Sequence, residues 1–249
     1  MSDIPHCIQS AMNEKANNRI LSFPRSGISW FFLRLNRFLL HRFGIEDTSP
    51  AGRFLVHSHL GYLPHHDLSV THHSQRNGLK FIPETKITVL LRDAKSVLSS
   101  VYHYRRRDIV GYDDSADVFL RSNEGVSCVC AFMNDIELIV KRAAKTNWDL
   151  RFLYYEDMLK PEFVDTLPSL LGMGCKLTDT EREAITEDSN FIVHPSEMKD
   201  RFADVDVSHQ LTKYQKTFGQ EGADYVDRFM RDNCVLDAYN DRYPKGGGQ

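Results

Sequence analysis

The sequence predicts an α/β fold built on a doubly wound, mostly parallel sheet. Three observations carry that expectation. Four short apolar segments, at residues 19–23, 54–57, 87–91 and 150–155, alternate with stretches whose apolar residues recur at helical spacing. Two of them, "ITVLL" and "LRFLYY", are continuous apolar runs, the pattern of strands covered on both faces. The first segment enters a helical pattern through a tight turn, "FPRSG", which places a strand end directly against a helix start.

The elements follow in order. After the first strand, "WFFLRLNRFLLHRFG" sets Phe31, Leu35, Phe38 and Leu39 on one helix face, and Gly44 marks its end. Residues 58–80 are long and lack a clear period, as lids and binding loops do, and the acceptor side of a site is expected there. Beyond the third strand, "AKSVLSSVYHYRRR" spaces Val97, Val101 and Tyr104 as a helix. Residues 125–146 and 221–240 read as further helices. The expected organisation is a polar segment at 1–18, a single α/β domain at 19–243 and a disordered tail, "KGGGQ" with the residue before it, at 244–249.

Composition excludes several function classes. A chain of 249 residues, 41% hydrophobic and 26% charged, suits a globular domain with a sizeable core. The formal net charge of −3 argues against a nucleic-acid partner, so any anion site must be local. No apolar stretch approaches the roughly 20 residues of a membrane helix, and the start lacks a signal-peptide core. The expectation is a cytoplasmic protein. Its five cysteines fit no disulfide or zinc spacing, and Cys128 and Cys130 stand as C-x-C in a helical run. Buried, reduced thiols are expected.

The turn Phe23–Trp30 carries the first chemistry. Amides at a helix start, with the helix dipole behind them, attract anions. Gly27 allows close backbone approach, Arg25 adds a charged fork, and Ser26 and Ser29 offer hydroxyls. The plainer alternative is a helix cap in which the serines satisfy the first amides. G-x-x-x-x-G-K-[ST] is absent, which weakens a kinase or ATPase reading.

"SFPRSGISW" resembles the 5′-phosphosulfate loop of sulfotransferases, Y-P-K-S-G-T-x-W, with Arg25 for lysine and Ile28 for threonine. "ITVLLRDAKSVLSSVYHY" resembles the same family's 3′-phosphate motif, with Arg92 and Ser100 eight residues apart. "RFLYYEDM" resembles the strand end whose tyrosine, here Tyr155, approaches adenine. The resemblance implies a P-loop-like three-layer fold with four to five strands. It also implies 3′-phosphoadenosine 5′-phosphosulfate, PAPS, as co-substrate, without a metal. Arg25, Ser26, Gly27, Ile28, Ser29 and Trp30 would then hold the 5′ end, Arg92 and Ser100 the 3′-phosphate, and Trp30 and Tyr155 the base.

"VHSHLGYLP" aligns with the family's K-T-H-L-P, which makes His59 the expected general base, beside a catalytic Arg25. His57 takes the family's lysine position. The alternative of a metal site in the histidine-rich stretch 57–73 is disfavoured, because no carboxylate completes a zinc signature. The C-terminal R-K-G element is missing; Arg201, Lys213 or Lys216 could replace it, or Lys213 and Lys216 could form a solvated helix face. The expected partner is a small-molecule acceptor, a phenol, an alcohol, an amine or a cation-bearing molecule, with no membrane. Many members of the family are dimers, which makes a homodimer compatible with the resemblance. A P-loop kinase or hydrolase, or a nucleotide-binding module without turnover, are the alternatives.

Overall fold

The computed structural model describes residues 18–44, 56–58, 86–171, 173–187 and 207–243. His59, most of the 58–80 loop, Arg201 and both termini lie outside the described residues.

Four strands form one sheet: β1 (Asn18–Ser22), β2 (Val56–Ser58), β3 (Lys86–Leu91) and β4 (Asp149–Tyr154), in the order β2-β1-β3-β4. All three pairings are parallel, with Leu21 opposite both Ser58 and Val89. No fifth strand is present among the described residues. Parallel strands need covered crossovers, and β3 shows the result: every residue after Lys86 is buried.

Period-two alternation sorts the side chains onto two cores. Leu21, Ile87, Val89 and Leu91 face one of them, with helices α2 (Ala94–Asp108), α3 (Ala116–Arg121) and α4 (Val126–Ala143). Ile20 and Leu90 face the other, with α1 (Ile28–Phe43), the short α5 (Tyr155–Met158), the 3-10 turn Pro161–Thr166 and α6 (Leu167–Leu170). Phe31, Leu35, Phe38 and Leu39, grouped by their spacing in the sequence, are all buried in this second core. The buried Arg34 holds α1 to α7 (Asp179–Glu187), donating from Nη1 to the Ile185 carbonyl at 2.7 Å.

The C-terminal helices depart from the expected single helix at 221–240. Helix α8 (Val207–Asn233) begins earlier and breaks at Gly219, whose φ of 65° and ψ of −175° interrupt the helical backbone. A three-residue gap then precedes α9 (Asp237–Arg242). The apolar pattern within 221–240 is helical, but periodicity does not count hydrogen bonds, so it does not reveal the gap.

Sheet order fixes where a ligand can enter. From β1 the chain goes to β2 on one side, and β3 then lies on the other. The loops after β1 and β3 therefore lead to opposite sides, and between such loops, at the carboxyl ends of the strands, sheets of this kind have the crevice that binds ligands. Residues 23–27 and 92–93 are those loop starts here.

Candidate functional site

The turn after β1 is shaped by its backbone. Ser26 N donates to the Phe23 carbonyl at 3.1 Å, closing the loop. Arg25 has a φ of 70°, a left-handed conformation that costs a residue with a side chain about 1–2 kcal/mol. Such strain concentrates at ligand-holding turns. Arg92 stabilises it from across the crevice, donating from Nη1 to the Arg25 carbonyl at 3.0 Å. The two strand ends are thus joined directly.

Gly27 is required twice over. Its φ is 97°, and a Cβ there would lie 2.2 Å from Cδ2 of Tyr155. No side chain caps α1, and its first turn holds no acidic residue. The serine-capped alternative is therefore not what forms. Ser26 Oγ is fully buried beside these amides with no hydrogen-bond partner, which is costly unless a ligand supplies one. Ile28 is buried in the second core, whereas Ser29 is exposed.

Arg92 is 5% exposed, and its Nε lacks a partner. Its guanidinium lies 4.0 Å from the centre of the Tyr155 ring. The next residue, Asp93, caps α2 by accepting from Ser96 N and Ser96 Oγ, both at 3.1 Å. Burial pushes the Asp93 carboxyl up, against the pull of Lys95 and the Ser96 donors. A ring of tyrosines supports this side: Ala94 N donates to Tyr239 Oη at 3.0 Å, and Tyr243 Oη donates to Glu156.

Tyr155 is almost fully buried, wedged between Gly27 and the Arg92 guanidinium, so its ring supports the turn. Burial, aided by Glu156 and opposed by Arg92, raises its pKa, which keeps the phenol neutral. Trp30 is half-buried in the same core; its indole N–H donates to the Met158 carbonyl at 3.4 Å, and Arg34 lies 5.1 Å from its ring. Ser100 is half-buried on α2, two turns beyond Arg92. Its neighbour Ser99 bonds Thr217 Oγ1 at 2.8 Å, tying α2 to α8. The structure therefore brings Arg25, Ser26, Gly27, Arg92 and Tyr155 into one contact set. Ser29 and Ser100 stand outside it.

One cation reaches the site from far along the chain. Lys213 lies on the first arm of α8, one helical turn before Thr217, which accepts or donates to both Ser99 and His103. It is half-buried, and burial first, then the charges of Arg92, Arg25 and Arg107, lower its pKa. Arg25 itself lies 4.7 Å from the Tyr104 ring. Like charges gathered in a partly buried place destabilise one another and create a field for an anion. Lys216, less than one turn further along the same helix, is exposed. The sequence presents the two lysines alike, and only the packing of α8 against α2 separates them.

Among the described residues no group of three metal-ligating side chains converges, and no helix is long and apolar enough to cross a membrane. Of the five cysteines, Cys128, Cys130 and Cys234 are buried and Cys175 half-buried, and these four stand in no disulfide.

No protein-family model matches the chain, and neither does any curated protein sequence. Among solved structures it is similar to mouse sulfotransferase SULT7A1 complexed with PAP, with a TM-score of 0.53 and 15% identity. The match covers 94% of this chain and 91% of that one. The likeness is one of fold. It spans the whole α/β arrangement and agrees with the parallel sheet described above.

Proposed function

We propose that the chain is a sulfotransferase, moving a sulfuryl group from PAPS to a hydroxyl or amine of a small-molecule acceptor. One observation supports this above the others. Two arginines from adjacent strand ends meet at the sheet's switch point, beside an uncapped helix start and a buried hydroxyl without a partner. That set fits a ligand with more than one phosphate.

The residues fit PAPS in particular ways. Gly27 and the first amides of α1 hold the 5′-phosphosulfate, with the Ser26 hydroxyl and Arg25. Arg92 takes the 3′-phosphate through its free edge, and Lys213 adds to the same positive field. Ser100 adds to the 3′-phosphate contact, Trp30 and Tyr155 hold the adenine, and Tyr155 also backs the turn. When bound, PAPS supplies the sulfuryl group and leaves as adenosine 3′,5′-bisphosphate, PAP. Arg25 and the turn amides stabilise negative charge growing on the departing phosphate oxygen, which is where preorganised donors act most strongly. His59 takes the proton of the acceptor as that oxygen or nitrogen attacks sulfur. Most of the acceleration then comes from positioning and charge stabilisation. The reading also takes the protein as a cytoplasmic enzyme, as the resemblance to cytosolic-type sulfotransferases implies.

Calorimetry with PAP and with ADP, each with and without magnesium, tests the proposal. PAP binding tighter than ADP, indifferent to magnesium, is the expected result. Magnesium-dependent binding of ADP with no preference for a 3′-phosphate would replace the reading by a kinase or hydrolase. His59→Ala is expected to abolish turnover while leaving PAP affinity intact.

A further inference from the structure

The last helix ties two strand ends together. Leu91 pairs with Tyr154 across β3 and β4, so Arg92 and Tyr155 leave the sheet side by side. Short as it is, α9 reaches both chains where they leave. On the β4 side, Tyr154 Oη donates to the Ala238 carbonyl at 3.0 Å. Arg242 Nη2 donates to Asp157 Oδ1 at 2.6 Å, and its guanidinium lies 5.1 Å from the Tyr154 ring. On the β3 side, the Tyr239 hydroxyl oxygen accepts from Ala94 N at 3.0 Å. Tyr243, just past α9, donates to Glu156, whose other carboxylate oxygen accepts from Asp93 N at 3.5 Å.

The two backbone amides that follow Arg92 are therefore both taken, one by Glu156 and one by Tyr239. Ala94 N is the first amide of α2 and has no acceptor within the helix. Asp93 does not supply one, since its side chain is engaged with Ser96. Tyr239 is buried in the first core with Leu91 and Ala94, and its ring lies 4.9 Å from that of Tyr243. Burial, aided by the Asp93 charge, raises its pKa and keeps the phenol neutral. Arg92 is thus held at both ends. Its guanidinium rests on the Arg25 carbonyl and the Tyr155 ring, while its backbone is anchored by a residue 145 positions beyond Ala94. A planar group that clasps a phosphate at two points tolerates little displacement of the backbone that carries it.

We propose that α9 is a clamp across the two strand ends, and that Tyr239 is a positioning residue for Arg92, acting through the Ala94 amide. The fit to a 3′-phosphate then depends on a hydroxyl that is itself buried in the core. The proposal rests on the sulfotransferase reading and adds a residue to its nucleotide site that no motif marks.

The test uses the full chain and Tyr239→Phe, which deletes one oxygen and keeps the ring. By calorimetry, PAP affinity is expected to fall about fivefold while ADP, without a 3′-phosphate, stays within about twofold of the wild type. In an Arg92→Ala background the same substitution should change PAP affinity by less than about twofold, because the group it positions is gone. Tyr243→Phe, at the half-buried end of the clamp, should weaken PAP selectively by a smaller factor and keeps the test open if Tyr239→Phe fails to fold. Equal losses for PAP and ADP, no loss for either, or losses that multiply with Arg92→Ala would make Tyr239 an ordinary core residue and overturn the proposal. Amide hydrogen exchange without ligand separates this from the nucleotide reading. Faster exchange at Asp93 and Ala94 in Tyr239→Phe is expected, and a change confined to residues 237–243 would overturn the clamp. A wild type that binds PAP no better than ADP would overturn the nucleotide reading and the role of Arg92 within it, and the exchange measurement would still decide the clamp.

Discussion

Two strand-to-helix turns face each other across the crevice, and they are built on opposite principles. After β1, the turn leads to a helix start that no side chain caps, with a buried hydroxyl left unpaired beside it. After β3, Asp93 closes the helix start with its own carboxylate, and Ala94 N is taken by Tyr239. The first turn therefore offers backbone donors, whereas the second offers only the guanidinium of Arg92. On the proposed reading the two phosphates of one nucleotide are held by different devices, one made of amides and the other of a single side chain.

Four substitutions sharpen or break this contrast. Gly27→Ala has the largest expected effect. The added methyl meets Tyr155 at 2.2 Å in a backbone conformation that alanine resists, so a loss of about 2–4 kcal/mol in stability is expected from denaturant unfolding. A variant of unchanged stability would mean that the tyrosine does not press on the turn. Arg92→Ala comes next. It removes a charged donor from the ligand and from the Arg25 carbonyl together, and PAP affinity should fall about 10–100-fold by calorimetry. An equal loss for a nucleotide lacking the 3′-phosphate would place Arg92 elsewhere on the ligand.

Lys213→Met separates stability from binding. The folded lysine holds its proton less tightly than the unfolded one does, so the unfolded state binds more protons as the pH rises through the lowered pKa. Wild-type stability should consequently rise with pH in the alkaline range, and the variant should lose that slope. The variant should also be more stable at neutral pH by about a few tenths of a kcal/mol, a small amount because solvent screens the half-exposed ammonium. Its PAP affinity should drop about fivefold, and Lys216→Met should change neither property. Ser26→Ala is the mildest. Deleting a hydroxyl that has no partner should leave unfolding within about 0.5 kcal/mol while weakening PAP severalfold. Unchanged PAP affinity would leave the hydroxyl without a ligand role.

The contrast also explains what the sequence discloses and what it withholds. The turn after β1 is legible because its determinants are local: a strand, a proline, a glycine and a helix lie within a dozen residues. Arg92 is legible for the same reason, standing where a continuous apolar run ends. Lys213 is not distinguishable from Lys216 by pattern, because its partners Arg25 and Arg92 lie more than 100 residues away and only the packing of α8 on α2 brings it to them. The break at Gly219 is hinted at by a glycine inside a helical pattern, although sequence does not say whether such a glycine bends the backbone or is merely tolerated. Tyr155, which the family resemblance sets beside a base, also touches Gly27 and the Arg92 guanidinium, neighbours that no local pattern around it discloses. Strand ends are predictable from local pattern, but the facing of their aromatic rings depends on what arrives from elsewhere.

The bond from Arg92 Nη1 to the Arg25 carbonyl has a consequence for replaceability. A guanidinium is a flat plate with several donor edges; here one edge braces the opposite loop while Nε stays buried and without a partner. A lysine at position 92 would keep the positive charge, yet its ammonium is a single point and could not serve as crossbeam and clasp at the same distance. Swapping these two basic residues would therefore either slacken the neighbouring loop or forfeit the guest, so at this corner of the sheet shape matters more than charge.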